Sequence, residues 1–272
     1  MKWVSVLVAS ACMLSALAAQ PRGALPNAVK HARATLQPVS VSATRATLLV
    51  TLAVDDGWHV SWRNPGETGL PTRFTWNLPA GVRLRRERWP VPVVTHTDVG
   101  VTHTLEGEVP WLVEFDLDAP AASDRLVSVT VRYGICRDVC ISEQQVVQGV
   151  LPGSGAGATA VVTVPAMLRR RLAADAAAVP ARVGAAGVLC LDRLPPGVVR
   201  AGLEMIADSG RSVDGALPVE PGRGVAAGSA RVRLPSSARL RGSLDTVLLV
   251  GGATGISVPL DFRLPAPRCG TR

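Results

Sequence analysis

Short apolar runs with a two-residue period are the feature that most limits what this chain can fold into. In the clearest run, which starts at Val109, the apolar Val113, Phe115 and Leu117 alternate with the acidic Glu114, Asp116 and Asp118. Alternation of this kind is typical of a β-strand with one buried face. The chain repeats such runs, and its 26 Gly and 21 Pro residues fall largely between them. We therefore predict an all-β protein.

The first half carries about eight such runs at the 8–12-residue spacing of an antiparallel β-sandwich. Residues 20–37 lack a period and are predicted to be an extended lead-in, and residues 90–103 are predicted to be an irregular loop. A further loop rich in Pro and Gly is predicted at 63–71. Among these runs, strands are predicted at 46–54, 58–62, 72–76, 82–89, 109–117, 127–136 and 144–150.

The second half is predicted to form a smaller β-sandwich over residues 181–272. It is preceded by a Gly-rich linker and a short helix within residues 153–180, the helix spanning 165–179 with Pro165 in its first turn. Cys190 lies in an apolar run and is interpreted as an inert buried thiol, although a bridge to Cys269 is the alternative. Strands are predicted at 188–194, 201–206, 230–234, 245–250 and 255–264.

The N-terminus has the pattern of a cleaved signal peptide over residues 1–19. A positive start at Lys2 precedes an apolar run that ends near Leu17, and Ala16 and Ala18 form the small-residue cleavage site. The run is too short to span a membrane, and no later segment is apolar over 18 residues. We expect the mature chain, residues 20 onward, to be exported and soluble in an oxidising compartment.

The formal net charge of +8 comes mainly from arginine residues that are spread along the chain. Nucleic-acid binding modules concentrate such charge in a compact basic stripe with aromatic residues between the cations. No such stripe occurs in this sequence, so we expect no nucleic-acid partner.

Two cysteines, Cys136 and Cys140, end a predicted strand and hold the most distinctive chemistry of the sequence. Along a straight strand their Cα atoms would be roughly 13 Å apart, whereas a disulfide needs about 4.4–6.8 Å. Either residues 137–139 form a turn, or the two thiols never pair. A bridge across so small a loop would add only about 2 kcal/mol of stability. That small gain favours a redox pair over a structural staple, with a local disulfide that pins a hairpin as the alternative.

Three segments together resemble the periplasmic N-terminal domain of DsbD/ScsB-type protein-disulfide reductases. They are Trp58–Trp76 (WHVSWRNPGETGLPTRFTW), Trp89-Pro90 and Tyr133–Ile141 (YGICRDVCI), and they occur in the order that the family shows. The resemblance covers about residues 35–155. It implies an immunoglobulin-like sandwich over residues 20–152 in which Cys136 and Cys140 are the redox pair. It also implies, from the family's habit, that Cys140 attacks first.

The resemblance further implies a relay of reducing equivalents in the periplasm. The chain ends at Arg272 without the membrane and thioredoxin-like domains of full-length members. We therefore expect an electron-transfer domain of the protein-disulfide reductase type that needs no cofactor and is reduced by a separate membrane thiol reductase. Its acceptors would be periplasmic thioredoxin-like or disulfide-bearing proteins.

The family shields its cysteine pair with a movable loop, and we predict residues 89–105 as that cap. Trp89, His96 and His103 lie in it, and Asn64 and Glu67 are further candidates for lining the site. Each has a simpler interpretation: the histidines as polar loop residues, and Asn64 and Glu67 as ties within their own loop. Trp58, Trp62 and Trp76 are interpreted as core residues.

Two other functions stay open from sequence. A non-catalytic β-sandwich could bind a metal, copper for instance, through the cysteines with His96 or His103. A protein adaptor could instead carry Cys136–Cys140 as a passive structural disulfide, with a reduction potential below about −300 mV.

Overall fold

The computed structural model describes residues 30–120, 123–153, 162–184, 187–192, 194, 202–208, 216–221, 229–235, 246–251 and 254–261. The predicted signal peptide, Cys269 and the Gly-rich part of the linker lie outside the described residues. The all-β prediction is confirmed. No helix among the described residues combines the length and the apolar character that a membrane crossing requires.

The described residues of the first half form ten strands. They are β1 Ala32–Val41, β2 Arg45–Val54, β3 His59–Gly66, β4 Arg73–Asn77, β5 Val82–Arg88, β6 Val93–Thr97, β7 Gly100–Leu105, β8 Glu108–Leu117, β9 Arg125–Cys136 and β10 Cys140–Leu151.

These strands form two sheets that pack as an immunoglobulin-like sandwich. One sheet has the order β1-β2-β8-β5, and the other has the order β10-β9-β3-β7-β6 with β4 paired to the early part of β9. The alternating apolar residues of β2, β8 and β9 face inward and are buried, as their period predicts. Trp111 lies at the centre of this core, with its ring centroid 5.3 Å from that of Phe74 and 5.7 Å from that of Trp89.

Three loop predictions for the first half are wrong. The stretch 90–103 contains β6 and most of β7, which pair as a hairpin rather than forming an irregular loop. The lead-in 20–37 contains the start of β1, and β3 continues through Pro65 to Gly66. Pairing with a neighbouring strand outweighs local loop chemistry here, because Thr and Val fit a sheet well even where their alternation is weak.

The second half begins with the helix α1, Ala166–Arg171, and its described residues then form eight strands. They are β11 Ala174–Asp175, β12 Val179–Val183, β13 Val188–Leu191, β14 Glu204–Ala207, β15 Ala216–Pro221, β16 Ala230–Arg233, β17 Thr246–Gly251 and β18 Thr254–Asp261. Their pairing runs β18-β12-β13-β16-β15-β14-β17 and returns from β17 to β18. The sheet therefore closes on itself, which the sequence pattern did not reveal.

The helix is shorter than the predicted 165–179, because the residues after Arg171 take part in β-sheet pairing. Leu172 is already extended and forms a bridge with Pro90, and Ala174 pairs with Ile256. Leu168 and Leu172 pack with Leu49 and other apolar residues on the first sandwich. Tertiary pairing thus overrides the high helix propensity of the alanines that follow.

The second half also shares a core with the first. Ile206, Leu248 and Val250 belong to the same buried cluster as the first sandwich. Cys190 is disulfide-bonded, so the prediction of an inert free thiol is wrong. The proposed partner, Cys269, lies outside the described residues.

Candidate functional site

The two cysteines of the first half lie at the tip of the β9–β10 hairpin. Cys136 and Cys140 are the last register pair of these antiparallel strands, and the Arg137 N–H donates a hydrogen bond of 3.3 Å to the Val139 carbonyl. Residues 137–139 therefore form the turn that pairing requires. The cysteines are joined by a disulfide, with their Cα atoms 4.1 Å apart.

The two ends of this disulfide differ in exposure. Cys136 is only 2% exposed, whereas Cys140 is exposed to solvent. The topology explains the difference: Cys136 is flanked by β10 on one side and by His59 of β3 on the other, whereas β10 is the edge strand of its sheet. An incoming thiolate needs access to the sulfur that it attacks. The geometry therefore favours attack at Cys140.

A stack of side chains holds the hairpin tip. The guanidinium carbon of Arg137 lies 4.9 Å from the Trp58 ring centroid, and the His31 ring stacks on Trp58 with centroids 3.9 Å apart. The Arg137 Nε also donates to the Asp138 Oδ2 at 3.2 Å. A cation–π contact at such an exposed site contributes about 0.5–1 kcal/mol. Trp58 is half-buried at the rim of the site, and sequence reasoning missed this role.

The loop after β3 lies across β9 beside the disulfide. The Gly134 N–H donates to the Leu70 carbonyl at 3.3 Å, and a Cβ on Gly134 would lie 2.6 Å from the Leu70 Cβ. Only glycine fits here without displacing the loop. A glycine within a strand is a sequence signal for close backbone approach, and Gly134, between Tyr133 and Ile135, could have located this loop.

A hydrogen-bond network ties β10 to β1 below the disulfide. The Tyr133 hydroxyl donates to the Glu143 Oε2 at 3.1 Å, and burial raises the pKa of Tyr133 to about 12. The Gln145 Nε2 donates to the Ala32 carbonyl at 2.8 Å, and the Gln145 Oε1 accepts from the Ala34 N–H at 3.0 Å. One side-chain amide thus joins the edges of the two sheets and restrains the strand that carries Cys140.

Three of the residues predicted to line the site do not lie beside the disulfide: Asn64, Glu67 and His103. The Asn64 Nδ2 donates to the Ala207 carbonyl of the second half at 2.7 Å, and the His103 Nδ1 donates to the Asn64 carbonyl at 2.8 Å. Glu67 accepts a hydrogen bond from the Val101 N–H. Since β3 meets Cys136 at His59, Asn64 is about 16 Å further along that strand. These residues tie loops and anchor the second half instead of lining the disulfide.

The segment 89–105 does not cover the cysteines either. Trp89 is 5% exposed within the aromatic core, and the exposed His96 pairs with Glu204 at 2.8 Å. Thr102 of β7 pairs with Gly66, at the end of β3 that lies away from Cys136. The tip of the β6–β7 hairpin, at Thr97 and Gly100, extends beyond Thr102 and is therefore further still from the cysteines. Among the described segments, the loop that carries Leu70 occupies the position beside the disulfide that was predicted for 89–105.

The histidines proposed as metal ligands are not beside the cysteines. His103 is buried against Trp62, with ring centroids 6.4 Å apart, and His96 faces the second half. Within the described ranges, no three His, Cys, Asp or Glu side chains are grouped closely enough to hold a metal ion. The structure therefore adds no observation that favours the metal-binding alternative.

His103 should make the stability of the protein depend on pH. Burial lowers its pKa, and its Nε2 has no hydrogen-bond partner among the described residues. As the pH falls below the unfolded-state pKa of about 6.5, the unfolded chain takes up the proton first. The free energy of unfolding should then drop by up to roughly 1.4 kcal/mol per pH unit until the lowered pKa is reached.

Urea denaturation at several pH values between 7.5 and 5 would measure this dependence. We expect His103→Gln to lose part of the slope and the surface variant His96→Gln to keep more of it. Equal slopes in the wild type and His103→Gln would show that His103 does not carry the effect.

The family described as thiol:disulfide interchange protein DsbD, N-terminal, matches residues 28–152. Among solved structures, the N-terminal periplasmic domain of ScsB from Proteus mirabilis aligns with 16% identity and a TM-score of 0.48, covering 84% of this chain and 90% of that one. The periplasmic chaperone SfaE aligns with 11% identity and a TM-score of 0.25, covering 84% and 98%. None of the curated proteins matches this sequence.

Proposed function

We propose that the protein is a periplasmic thiol–disulfide exchange module, because residues 28–152 match the family of DsbD N-terminal domains. In this proposal Cys136 and Cys140 carry the reducing equivalents. The observation that supports it best is the disulfide at the hairpin tip, with one end exposed and the other buried. A staple does not need this asymmetry, whereas an exchange site needs an accessible sulfur for attack.

The proposed reaction is two successive exchanges. The Cys140 thiolate attacks one sulfur of a partner disulfide, forms a mixed disulfide and expels a partner thiolate, which takes up a proton. The Cys136 thiolate then attacks the Cys140 Sγ, forms the internal disulfide and expels the second partner thiolate, which is also protonated. Two electrons pass to the partner, and the two protons of the original thiols are released.

The reduced pair is regenerated by the reverse sequence. A donor thiolate attacks the Cys140 Sγ, the bond to Cys136 breaks, and Cys136 leaves as a thiolate that takes up a proton. The second donor thiolate then attacks the donor sulfur of the mixed disulfide and forms the donor's own disulfide. The bond to Cys140 breaks, and Cys140 leaves as a thiolate that takes up a proton. This cycle of oxidation and reduction requires little movement of the hairpin, since Cys136 and Cys140 remain opposite each other in the β9–β10 register.

The proposed setting follows from the predicted signal peptide, residues 1–19, and from the family. The donor is a separate membrane thiol reductase, and the acceptors are periplasmic thioredoxin-like or disulfide-bearing proteins. The redox domain comprises residues 20–152, the connecting segment residues 153–180, and the second β-domain residues 181–272. The packing of Leu168 on the first sandwich and the shared core support a second domain held firmly against the first.

The reduction potential of the Cys136–Cys140 pair tests the proposal. Equilibration with glutathione buffers, acid quenching, alkylation and mass spectrometry of the hairpin peptides would separate this pair from Cys190. We expect a potential in the range of known thiol relays, about −270 to −120 mV. A value well below about −300 mV would identify a passive structural disulfide.

A further inference from the structure

The outer edge of β10 is open over the stretch that begins at Cys140. Among the described residues, β10 pairs with β9 alone, so no strand lies beside its other edge. Cys140, Ile141, Ser142 and Gln144 are exposed, and Glu143 is half-buried. An unpaired strand edge presents a row of N–H and C=O groups that can pair with another chain.

The open stretch ends where β1 reaches β10. The Gln145 side chain bonds the Ala32 carbonyl and the Ala34 N–H of β1. Further along, a Cβ on Gly149 would lie 2.9 Å from the Leu36 Cγ. From Gln145 onward β1 therefore lies close to β10, and the open part of the edge is the part that carries the exposed cysteine.

The backbone groups of Ser142 point to this open edge. The Gly134 N–H donates to the Leu70 carbonyl, on the side of β9 that faces β3 and β4 and not β10. A residue that directs its backbone groups away from the neighbouring antiparallel strand belongs to a non-hydrogen-bonded pair, and its partner does the same. Ser142 is the partner of Gly134. Its N–H and C=O therefore face outward, and the same holds two residues away on each side, at Cys140 and Gln144.

The spacing of the two cysteines gives the same result. Their Cα atoms are 4.1 Å apart. Non-hydrogen-bonded pairs have Cα atoms about 4.5 Å apart, whereas hydrogen-bonded pairs have them about 5.5 Å apart. The N–H and C=O of Cys140 are therefore directed at the open edge and away from Cys136.

A strand added to this edge would meet Cys140 in the geometry that a mixed disulfide needs. An antiparallel residue opposite Cys140 would form a hydrogen-bonded pair with it, with Cα atoms about 5.5 Å apart. Disulfides most often have Cα separations of about 5.5–6 Å. Since directly opposite residues share one face of a sheet, a partner cysteine at this position reaches the Cys140 Sγ without distortion of either strand.

The strand order also aligns the three sulfurs of the exchange. In displacement at a sulfur, the attacking and leaving sulfurs lie on opposite sides of the sulfur that is attacked. Cys136 is on β9, and an added strand would lie on the far side of β10. The partner sulfur and the Cys136 Sγ would therefore lie on opposite sides of the Cys140 Sγ.

We propose that the exchange partner adds an extended segment to β10 as an antiparallel strand, with its cysteine opposite Cys140. The residue two before that cysteine pairs with Ser142 and exchanges two hydrogen bonds with it. The residue directly before the cysteine lies opposite Ile141, which is 48% exposed and offers an apolar contact. Main-chain pairing of this kind gives affinity for an extended segment. The inference rests on the proposed exchange function and names the partner class, which is disulfide-bearing proteins whose reacting cysteine lies in an extended segment.

Backbone N-methylation of a partner peptide tests the strand pairing. Three capped peptides share one sequence and carry a single cysteine as its 2-pyridyl disulfide. One is unmodified, one is N-methylated two residues before the cysteine, and one is N-methylated three residues before it. The first of these methyl groups removes an N–H that faces Ser142, and the second removes an N–H that faces away from β10.

The measurement uses the full-length variant Cys136→Ser, which keeps the Cys140 thiol. The Cys140 thiolate attacks the peptide sulfur, forms the mixed disulfide and expels pyridine-2-thiolate, which takes up a proton. The absorbance of this product gives the second-order rate constant. Each rate is normalised to the reaction of the same peptide with 2-mercaptoethanol, which removes differences in the reactivity of the peptides.

We expect the peptide methylated two residues before its cysteine to react roughly tenfold more slowly than the unmodified peptide. Its methyl group removes one hydrogen bond and obstructs the approach of the strand. The peptide methylated three residues before the cysteine should react within about twofold of the unmodified one, since that position makes no bond to β10.

Ser142→Pro tests the same contact from the protein side. Proline is tolerated on an edge strand whose N–H faces solvent, so the substitution removes the outward N–H without removing a bond to β9. In the Cys136→Ser background, we expect it to slow the unmodified peptide to the rate of the one methylated two residues before the cysteine. Ser142→Ala keeps the N–H and should retain the difference between the peptides. If Ser142→Pro fails to fold, the comparison of the methylated peptides still decides the proposal.

The outcomes separate strand addition from the exchange function. Equal rates for the two methylated peptides would overturn strand addition, whether the edge is unused or is taken by a second copy or by another segment of this chain. A slower reaction of the peptide methylated three residues before its cysteine would also overturn it, by showing a different pairing. Either result leaves exchange at Cys140 intact. If Cys140 reacts with none of the peptides, the exchange function itself fails.

Discussion

Cys136→Ser should leave a protein that forms a stable mixed disulfide with a partner, whereas Cys140→Ser should form almost none. The reason is the unequal exposure of the two positions: the first variant keeps the exposed Cys140 and loses the resolving thiol, and the second keeps only the buried Cys136. Electron transfer should drop by several orders of magnitude in both, as expected when either member of a catalytic unit is removed. Incubation with an excess of a small aromatic disulfide, followed by intact-mass measurement, distinguishes the two variants.

Each variant serves as the control for the other. Both lose the same disulfide, whose small loop contributes only about 2 kcal/mol to stability. A difference in mixed-disulfide yield therefore reports access to the remaining thiol. Equal yields from the two variants would contradict the assignment of Cys140 as the attacking residue, and reaction at Cys136 alone would reverse it.

Gly66→Ala should be the most destabilising alanine substitution among the glycines of the first sandwich. Gly66 has a φ of +84°, and a Cβ there would overlap the carbonyl oxygen of Val101 on β7. That carbonyl also accepts the Glu67 N–H at 2.9 Å, so it cannot move freely. We expect a loss of about 3 kcal/mol or more in the free energy of unfolding, from backbone strain together with the clash. Urea denaturation followed by tryptophan fluorescence measures it.

Gly57→Ala separates the two contributions. Gly57 has a similar φ of +77°, but a Cβ there meets no atom within 4 Å. Its substitution should cost only the conformational strain, roughly 1–2 kcal/mol. If Gly66→Ala costs no more than Gly57→Ala, the approach of Val101 to Gly66 is not a constraint on the fold.

The segment around Asn64-Pro65-Gly66 connects the first half of the protein to the second. Arg63 forms an ion pair with Asp208, Asn64 bonds the Ala207 carbonyl, and His96 pairs with Glu204. All three contacts reach the same short stretch at β14. Desolvation lowers the pKa of Arg63 and raises that of Asp208, which reflects the burial of this ion pair. The segment joins the two halves instead of forming part of the redox site.

The sequence by itself determined the all-β fold class and the position of the cysteine pair at a turn between two strands. Alternating apolar residues in β2, β8 and β9 specify one buried face each, because a strand repeats every two residues whatever its neighbours are. The separation of Cys136 and Cys140 likewise required a turn at residues 137–139 if the two cysteines were to pair. These inferences depend only on local geometry, and they agree with the structure.

Only the tertiary structure decided which residues surround the disulfide. Leu70 and Trp58 are more than 60 residues from the cysteines in sequence, and they reach the site because β9 pairs with both β3 and β4. The segment 89–105 is closer in sequence yet packs toward the second half. Its strand β7 pairs with β3 on the edge away from β9, and β6 pairs with the outer edge of β7. Strand order depends on contacts between distant segments, which the period of any one strand does not encode.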